Sequence, residues 1–291
     1  MQPRRHATLP GGGLAAWIEK DGPGEVPLVL LHGGGFDHAG LSWGPVTERL
    51  AGRVRLLAPD LPGYGESAAL GPVQTIPDLA RWVLDWMEAA GVGTCDLAGL
   101  SMGGGAAMWL ALEHPDRIRR LVPVASYGMM ARAPFHGLAH RAGHLKSRAF
   151  AYRAAARSDR IARLGLRLFG YADAGRISPE TVSELREVAR IQAGRQSFSA
   201  FLKGEIQRTH TTTNLTDRLA DIRQPTLLIH GKRDPLVPVI NARDAAATIP
   251  HCRYLELDAA HWPIREYPDE TAAAIADFLE LDATGRSFTL P

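Results

Sequence analysis

Ser101 stands in Gly99-Leu100-Ser101-Met102-Gly103, between a short apolar run, Cys95 to Leu100, and a helical stretch, Gly103 to His114. On a sharp strand-to-helix turn a serine hydroxyl projects from the sheet edge, and flanking glycines remove the side chains that would obstruct so strained a turn. Gly104, Gly105, Ala106 and Ala107 continue the run of small residues and let the helix pack closely. A hydroxyl is a weak nucleophile until a base takes its proton, and the base needs an acid to fix its tautomer. The chain supplies both later, in the order Ser, Asp, His. Asp234 lies in Gly231-Lys232-Arg233-Asp234-Pro235, directly after the apolar run Thr226 to Gly231, and His261 lies in Asp258-Ala259-Ala260-His261-Trp262-Pro263, directly after Arg253 to Leu257. Three strand ends would then converge at the carboxyl edge of a parallel sheet. Asp258 and Asp244 are rival acids. Among the other histidines, His230 ends a strand, His114 closes a helix, and His136, His140, His144 and His210 fall in a helical insertion.

The oxygen that gains charge during acyl transfer needs two donors. The Met102 N–H, next to the serine, is one. His32-Gly33-Gly34-Gly35 offers bare backbone for the other, with Gly34 favoured over Gly33 and Gly35 and His32 bracing the loop. Gly35, Leu100, Trp262, Phe135 and Val237 are expected to contact substrate.

The elements that must position these groups follow from periodicity. Short apolar runs (Val26 to His32, Val54 to Ala58, Ile118 to Ala125) alternate with helical stretches (Ile76 to Ala90, Ile240 to Ile249, Thr271 to Leu281), the pattern of a mostly parallel sheet covered on both faces. Between about Ser126 and Thr216 apolar residues recur three and four apart with no strand-like run, which predicts an all-helical insertion. That segment carries 15 Lys and Arg against 6 Asp and Glu, and five of the eight Phe: Phe135, Phe150, Phe169, Phe198 and Phe201. The last ten residues read as a loose tail.

Composition narrows the classes. With 291 residues, 45% hydrophobic and 22% charged, the chain can bury a full core. Its 33 basic and 31 acidic residues leave a net charge of +2, no global field for a nucleic acid. Cys95 and Cys252 are too few for a disulfide framework or a thiolate metal site, no secretory signal is legible, and no apolar run suffices for a membrane helix. Expected are a cytoplasmic protein, a small-molecule substrate, no metal and no cofactor, with a homodimer left open.

With these residues in place, the chain resembles the α/β-hydrolase family. The matching features are the His32-Gly33-Gly34-Gly35 loop, the turn Asp60-Leu61-Pro62-Gly63-Tyr64-Gly65-Glu66-Ser67, the Gly-Leu-Ser-Met-Gly turn, the Gly-Lys-Arg-Asp-Pro turn and the His261 turn. The resemblance implies an α/β fold with a mostly parallel eight-stranded sheet flanked by helices. Residues 1–125 and 217–291 would form the core and 126–216 an inserted helical cap. It implies Ser101 as nucleophile, His261 as general base, Asp234 as orienting acid, and Gly34 and Met102 as oxyanion donors. The leading reaction is hydrolysis of a carboxylic ester or lactone through an acyl-enzyme. The triple-glycine loop, Ser101-Met102-Gly103 and Trp262 also resemble carbon–carbon bond hydrolases acting on a vinylogous diketone, although Leu100 stands where those enzymes usually have Asn; Arg190 and Arg195 are candidates to hold the substrate carboxylate. The Ser101-Met102-Gly103-Gly104-Gly105 run is similar to cofactor-free haloperoxidases or perhydrolases.

Overall fold

The computed structural model describes residues 4–67, 70–144, 148–195 and 197–280; the expected tail lies outside them. In chain order the elements are β1 (Arg4–Thr8), β2 (Leu14–Lys20), β3 (Leu28–Leu31), α1 (Ala39–Leu50), β4 (Leu56–Pro59), α2 (Ile76–Ala89), β5 (Cys95–Leu100), α3 (Met102–Glu113) and β6 (Ile118–Val124). Then come α4 (His136–His144), α5 (Arg148–Arg157), α6 (Asp159–Gly165), a π-helical turn (Leu166–Gly170), α7 (Pro179–Gln192) and α8 (Ser197–Glu205). The sheet resumes with β7 (Thr226–Gly231), α9 (Val239–Thr248), β8 (Cys252–Leu257), α10 (Pro263–Glu266) and α11 (Pro268–Phe278).

The eight strands run in the order β1-β2-β4-β3-β5-β6-β7-β8. β1 and β2 pair antiparallel, β2 joins β4 antiparallel, and the six remaining strands are parallel. Alternate residues of each buried strand face opposite layers. Val29, Leu31, Leu97 and Leu228 pack with α2 and α3, whereas Leu28, Leu30, Ala98, Leu100 and Ile229 pack with α1 and α11. Parallel strands share one carboxyl edge, so the loops after β3, β5, β7 and β8 open on the same side.

The helices between β6 and β7 do not float on this core. Ala162, Leu166 and Tyr171 join the layer of α1 and α11, and Phe201 and Ile206 join that of α2 and α3. Glu205, fully buried at the end of α8, accepts from Ile76 N (2.6 Å), Thr213 N (2.8 Å), Thr213 Oγ1 (2.7 Å) and Tyr127 Oη (3.1 Å). Among the described residues no helix is long and apolar enough to cross a membrane. Glu205→Ala strands these donors in a dry environment and is expected to cost about 2–4 kcal/mol in urea unfolding, against well under about 1 kcal/mol for the exposed Glu187→Ala.

Candidate active site

β5 ends at Leu100 and α3 starts at Met102, so Ser101 makes the entire turn. It adopts φ +52°, ψ −112°, a conformation that costs a side-chain-bearing residue about 1–3 kcal/mol unless its surroundings impose it. They do. Ser101 N donates to Val124 O (2.9 Å), and Ser101 O accepts from Gly105 N (2.9 Å) and Tyr127 N (3.0 Å). The glycine at 103 is forced by contact, because a Cβ there would stand 2.5 Å from His32 O and 2.6 Å from Leu31 O. The serine side chain itself is only half-buried.

Asp234 follows β7 and His261 follows β8, and their buried side chains meet: His261 Nδ1 donates to Asp234 Oδ2 at 2.7 Å. The other carboxylate oxygen accepts from Leu236 N (2.8 Å) and Val237 N (3.0 Å). Burial pushes the Asp234 carboxyl up, but the charge and hydrogen bond of His261, the nearby His230 and the Val237 amide outweigh it and hold the group below its ordinary value. A carboxylate fixed on Nδ1 leaves the His261 Nε2 lone pair as the basic position. Among the described residues the Ser101 hydroxyl makes no hydrogen bond, to His261 or otherwise; in unliganded enzymes such a bond commonly closes only when substrate arrives.

The loop after β3 meets the serine turn. A Cβ on Gly33 would lie 3.5 Å from Ser101 Cβ, and one on Gly34 would lie 3.5 Å from Met102 Sδ. Gly33 is clamped at both ends by buried side chains. Its N–H donates to Asp37 Oδ2 (2.8 Å) and its carbonyl accepts from His32 Nδ1 (2.7 Å). His32 Nε2 accepts from Leu61 N (2.9 Å), which keeps the ring proton on Nδ1, and burial lowers the pKa of this histidine to about 3. Across a trans peptide C=O and N–H point opposite ways, so the bond from His32 to Gly33 O also aims the Gly34 N–H. Gly35 N donates to Tyr64 Oη (3.2 Å). The amides of Gly33 and Gly35 are therefore spent, while among the described residues those of Gly34 and Met102 have no acceptor.

The expected substrate contacts fare unevenly. Gly35 flanks the loop at φ +82°. Trp262 is buried against Gly170. Leu100 and Val237 are buried, Leu100 in the layer of α1 and Val237 behind Asp234, with its carbonyl accepting from His230 Nε2 at 2.8 Å. Phe135 stands apart, 85% exposed in a left-handed turn before α4. The ring set against the glycine loop is Phe198 of α8: a Cβ on Gly34 would come within 2.7 Å of it. Of the rivals, Asp258 pairs on the surface with Arg233 (2.6 Å). His136 and His140 engage the carbonyls of Gln207 (2.8 Å) and Ile206 (2.9 Å). Arg190 is exposed and paired with Glu187 (2.6 Å), whereas Arg195 is half-buried and donates to Gly65 O (3.1 Å).

Comparison with known proteins supplies the family. The profile described as the alpha/beta hydrolase fold matches residues 26–268. The chain belongs to that family. It is 32% identical over 266 residues to a 2-hydroxymuconate semialdehyde hydrolase of Pseudomonas putida, covering 88% of each chain. It is 30% identical over 275 residues to a pimeloyl-[acyl-carrier protein] methyl ester esterase of Aeromonas hydrophila, covering 90% of this chain and 98% of the relative. Among solved structures the enol-lactonase of Burkholderia xenovorans LB400 superposes with a TM-score of 0.77 at 24% identity, covering 94% of this chain and 99% of that one, a likeness of fold.

Sequence reasoning passed over Asp37. It is fully buried and accepts from Gly33 N, His38 N (2.8 Å) and Ser42 Oγ (2.6 Å). Burial raises its pKa from 3.8 to about 7, against the pull of Ser42, the two amides and the Arg265 charge. The folded state thus holds this proton more tightly than the unfolded chain does. Its contribution is fully present below pH 3.8 and is lost as pH rises through about 7. His32 slopes the other way, since its stabilisation is present above its ordinary 6.5 and lost as pH falls toward about 3. Asp37→Asn removes only the first slope. Thermal unfolding across this window is expected to show the wild type losing stability relative to the variant as pH rises, and parallel curves would refute the assignment.

Proposed function

We propose that this hydrolase cleaves a carboxylic ester or lactone of a small molecule through an acyl-enzyme on Ser101. The 2.7 Å bond between His261 and Asp234, on the same sheet edge as a serine held at φ +52°, carries the reading. Ser101 Oγ attacks the carbonyl carbon as its proton passes to His261 Nε2, and Asp234 stabilises the imidazolium. The carbonyl oxygen, now anionic, takes the N–H groups of Gly34 and Met102. His261 returns the proton to the departing alkoxide. Water, deprotonated by His261, then attacks the acyl carbon, releasing the acid and restoring the serine. Apart from the substrate and water, the scheme uses only groups of the chain itself. Residues 126–216 act as the cap, with Phe198 lying over the oxyanion loop and Trp262 offering an apolar wall.

Carbon–carbon hydrolysis of a vinylogous diketone is the second reading, and the 32% identity to the 2-hydroxymuconate semialdehyde hydrolase favours it. It uses the same serine but needs a substrate whose departing carbon is stabilised as a dienol, and a cation for the substrate carboxylate. Arg195, half-buried and without a carboxylate partner among the described residues, suits that role; Arg190 does not. Peracid formation from the acyl-enzyme, as in cofactor-free haloperoxidases, would be a side branch of the first reading.

Short p-nitrophenyl esters should give an acyl burst followed by turnover, and a fluorophosphonate probe should label Ser101. Ser101→Ala should abolish burst and label, and Asp234→Asn should lower kcat by about 10³–10⁴ with an intact fold. Equal turnover by wild type and Ser101→Ala would end the proposal. Rapid loss of the yellow absorbance of a ring-fission dienoate, with ester turnover slower by orders of magnitude, would select the second reading.

A further inference from the structure

Seven of the ten large apolar side chains exposed on the described residues fall between positions 135 and 169. Phe135 and Leu138 mark the start of α4, Phe150 projects from α5, and Ile161, Leu164 and Leu168 stand three and four apart along α6 and the π-helical turn, with exposures from 44% for Ile161 to 85% for Phe135. The opposite side of this last stretch is already occupied, because Ala162 and Leu166 are buried in the core layer. Helix α6 is therefore apolar on two sides, and a surface helix needs only one. Phe135 adds a second anomaly: a bulky side chain at φ +48° is strained, and here the strain holds an aromatic ring in water.

The charge of the same stretch is equally one-sided. Residues 132–169 contain nine Lys and Arg and a single acid, Asp159, which is taken by Arg186 at 2.5 Å. Among the described residues Arg132, Arg141, Arg153, Arg157, Arg160 and Arg167 have no carboxylate within 4 Å, although the rest of the chain is net acidic. Large apolar side chains interspersed with unpaired arginines on short helices are the chemistry that seats a protein in the headgroup layer of an anionic lipid surface.

We propose that the face formed by α5, α6 and the π-helical turn, which pack on one another over residues 149–169, docks this protein on an anionic lipid surface. A second copy is disfavoured as the occupant, since a two-fold interface would oppose two patches of like charge. An acidic protein is a weaker fit, because protein interfaces centre on one packed apolar cluster with a polar rim, whereas these side chains are scattered over two helices and the π-helical turn and can each insert separately into lipid. The face also borders the site: Phe169 O accepts from His261 N (3.3 Å) and Gly170 O from Trp262 N (3.0 Å). An amphiphilic substrate would then reach the serine from the lipid boundary. The docking itself does not depend on the catalytic proposal.

Co-sedimentation of the full chain with vesicles tests it, comparing phosphatidylcholine alone with phosphatidylcholine mixed with phosphatidylglycerol. Partition onto the mixed vesicles is expected to be stronger by at least about tenfold and to weaken with added salt. Phe150→Glu with Leu164→Glu, and separately Arg157→Gln with Arg160→Gln, should each cut it by about tenfold or more while turnover of a soluble ester and the melting temperature stay unchanged. Absence of partition, or equal partition onto neutral vesicles, overturns the proposal. So does a dimer that the Glu variants dissociate, or retention on an immobilised acidic polypeptide without vesicle binding.

Discussion

Everything at the carboxyl edge of the sheet depends on how a buried carboxylate is satisfied where no regular secondary structure can do it. Asp234 shows the pattern, with one oxygen for His261 and the other for the amides of Leu236 and Val237. A loop that leaves a parallel strand carries N–H groups without partners, and burying them unpaired costs about 1–3 kcal/mol each. A carboxylate can take two or three at once. Asp37 does so for Gly33 and His38, Asp60 for Ala39 and Glu66, Glu205 for Ile76 and Thr213, and Glu266 for Ala172, Asp173 and Ala260. Five buried acids thus supply the hydrogen bonding that strands supply elsewhere.

Glu266 is the most consequential for the histidine. It accepts from the amide of Ala260, next to His261, and from two amides of the segment between β6 and β7, so one side chain ties the histidine-bearing loop to that segment. The backbone of His261 and Trp262 reaches the same segment through Phe169 and Gly170. The insertion and the histidine loop therefore cannot move independently at this point. Helices α4 and α5 contribute fewer side chains to the two core layers than α6 and α7 do and pack chiefly on α8 and α7.

The sequence made the strand-end turns legible more readily than the elements around them. Cys95–Leu100 and Thr226–Gly231 are strands with the bounds read from their apolar runs, and the Gly-Leu-Ser-Met-Gly turn sits where strand meets helix, because continuous apolar runs and flanking glycines are local signals. Helix α1 escaped such reading: Gly40, Gly44 and Pro45 lower its propensity, and only the burial of Leu41, Trp43, Val46 and Leu50 makes it form. Strand β1 is short and partly exposed at the sheet edge, and neither it nor β2 beside it shows enough alternation to stand out. Sequence reading preferred Phe135 to Phe198 as a substrate contact, whereas the structure sets Phe198 against the glycine loop and leaves Phe135 exposed, because in a helical segment periodicity reports a buried face but not which neighbour it meets. Asp37 and Glu266 gave no signal at all; an acid in a loop or a one-turn helix looks the same whether it faces water or collects two or three buried amides.

His32 and Asp37 form another buried histidine–acid pair, 4.0 Å apart, in the loop after β3 rather than in the loops after β7 and β8 that carry Asp234 and His261. The two pairs divide the work by sign of charge. In the proposed reaction His261 accepts a proton and Asp234 stabilises the cation that results. His32, buried with its tautomer fixed by Leu61 and Gly33, resists becoming a cation at all and so behaves as a neutral donor that fixes a peptide plane. A charged imidazolium at His32 would lose its acceptor nitrogen and release Leu61, disturbing the plane that aims the Gly34 amide. In the proposed reaction the same residue types thus serve opposite ends, and only the surroundings of each ring distinguish them: an ionised carboxylate within 2.7 Å in one case, backbone partners and complete burial in the other.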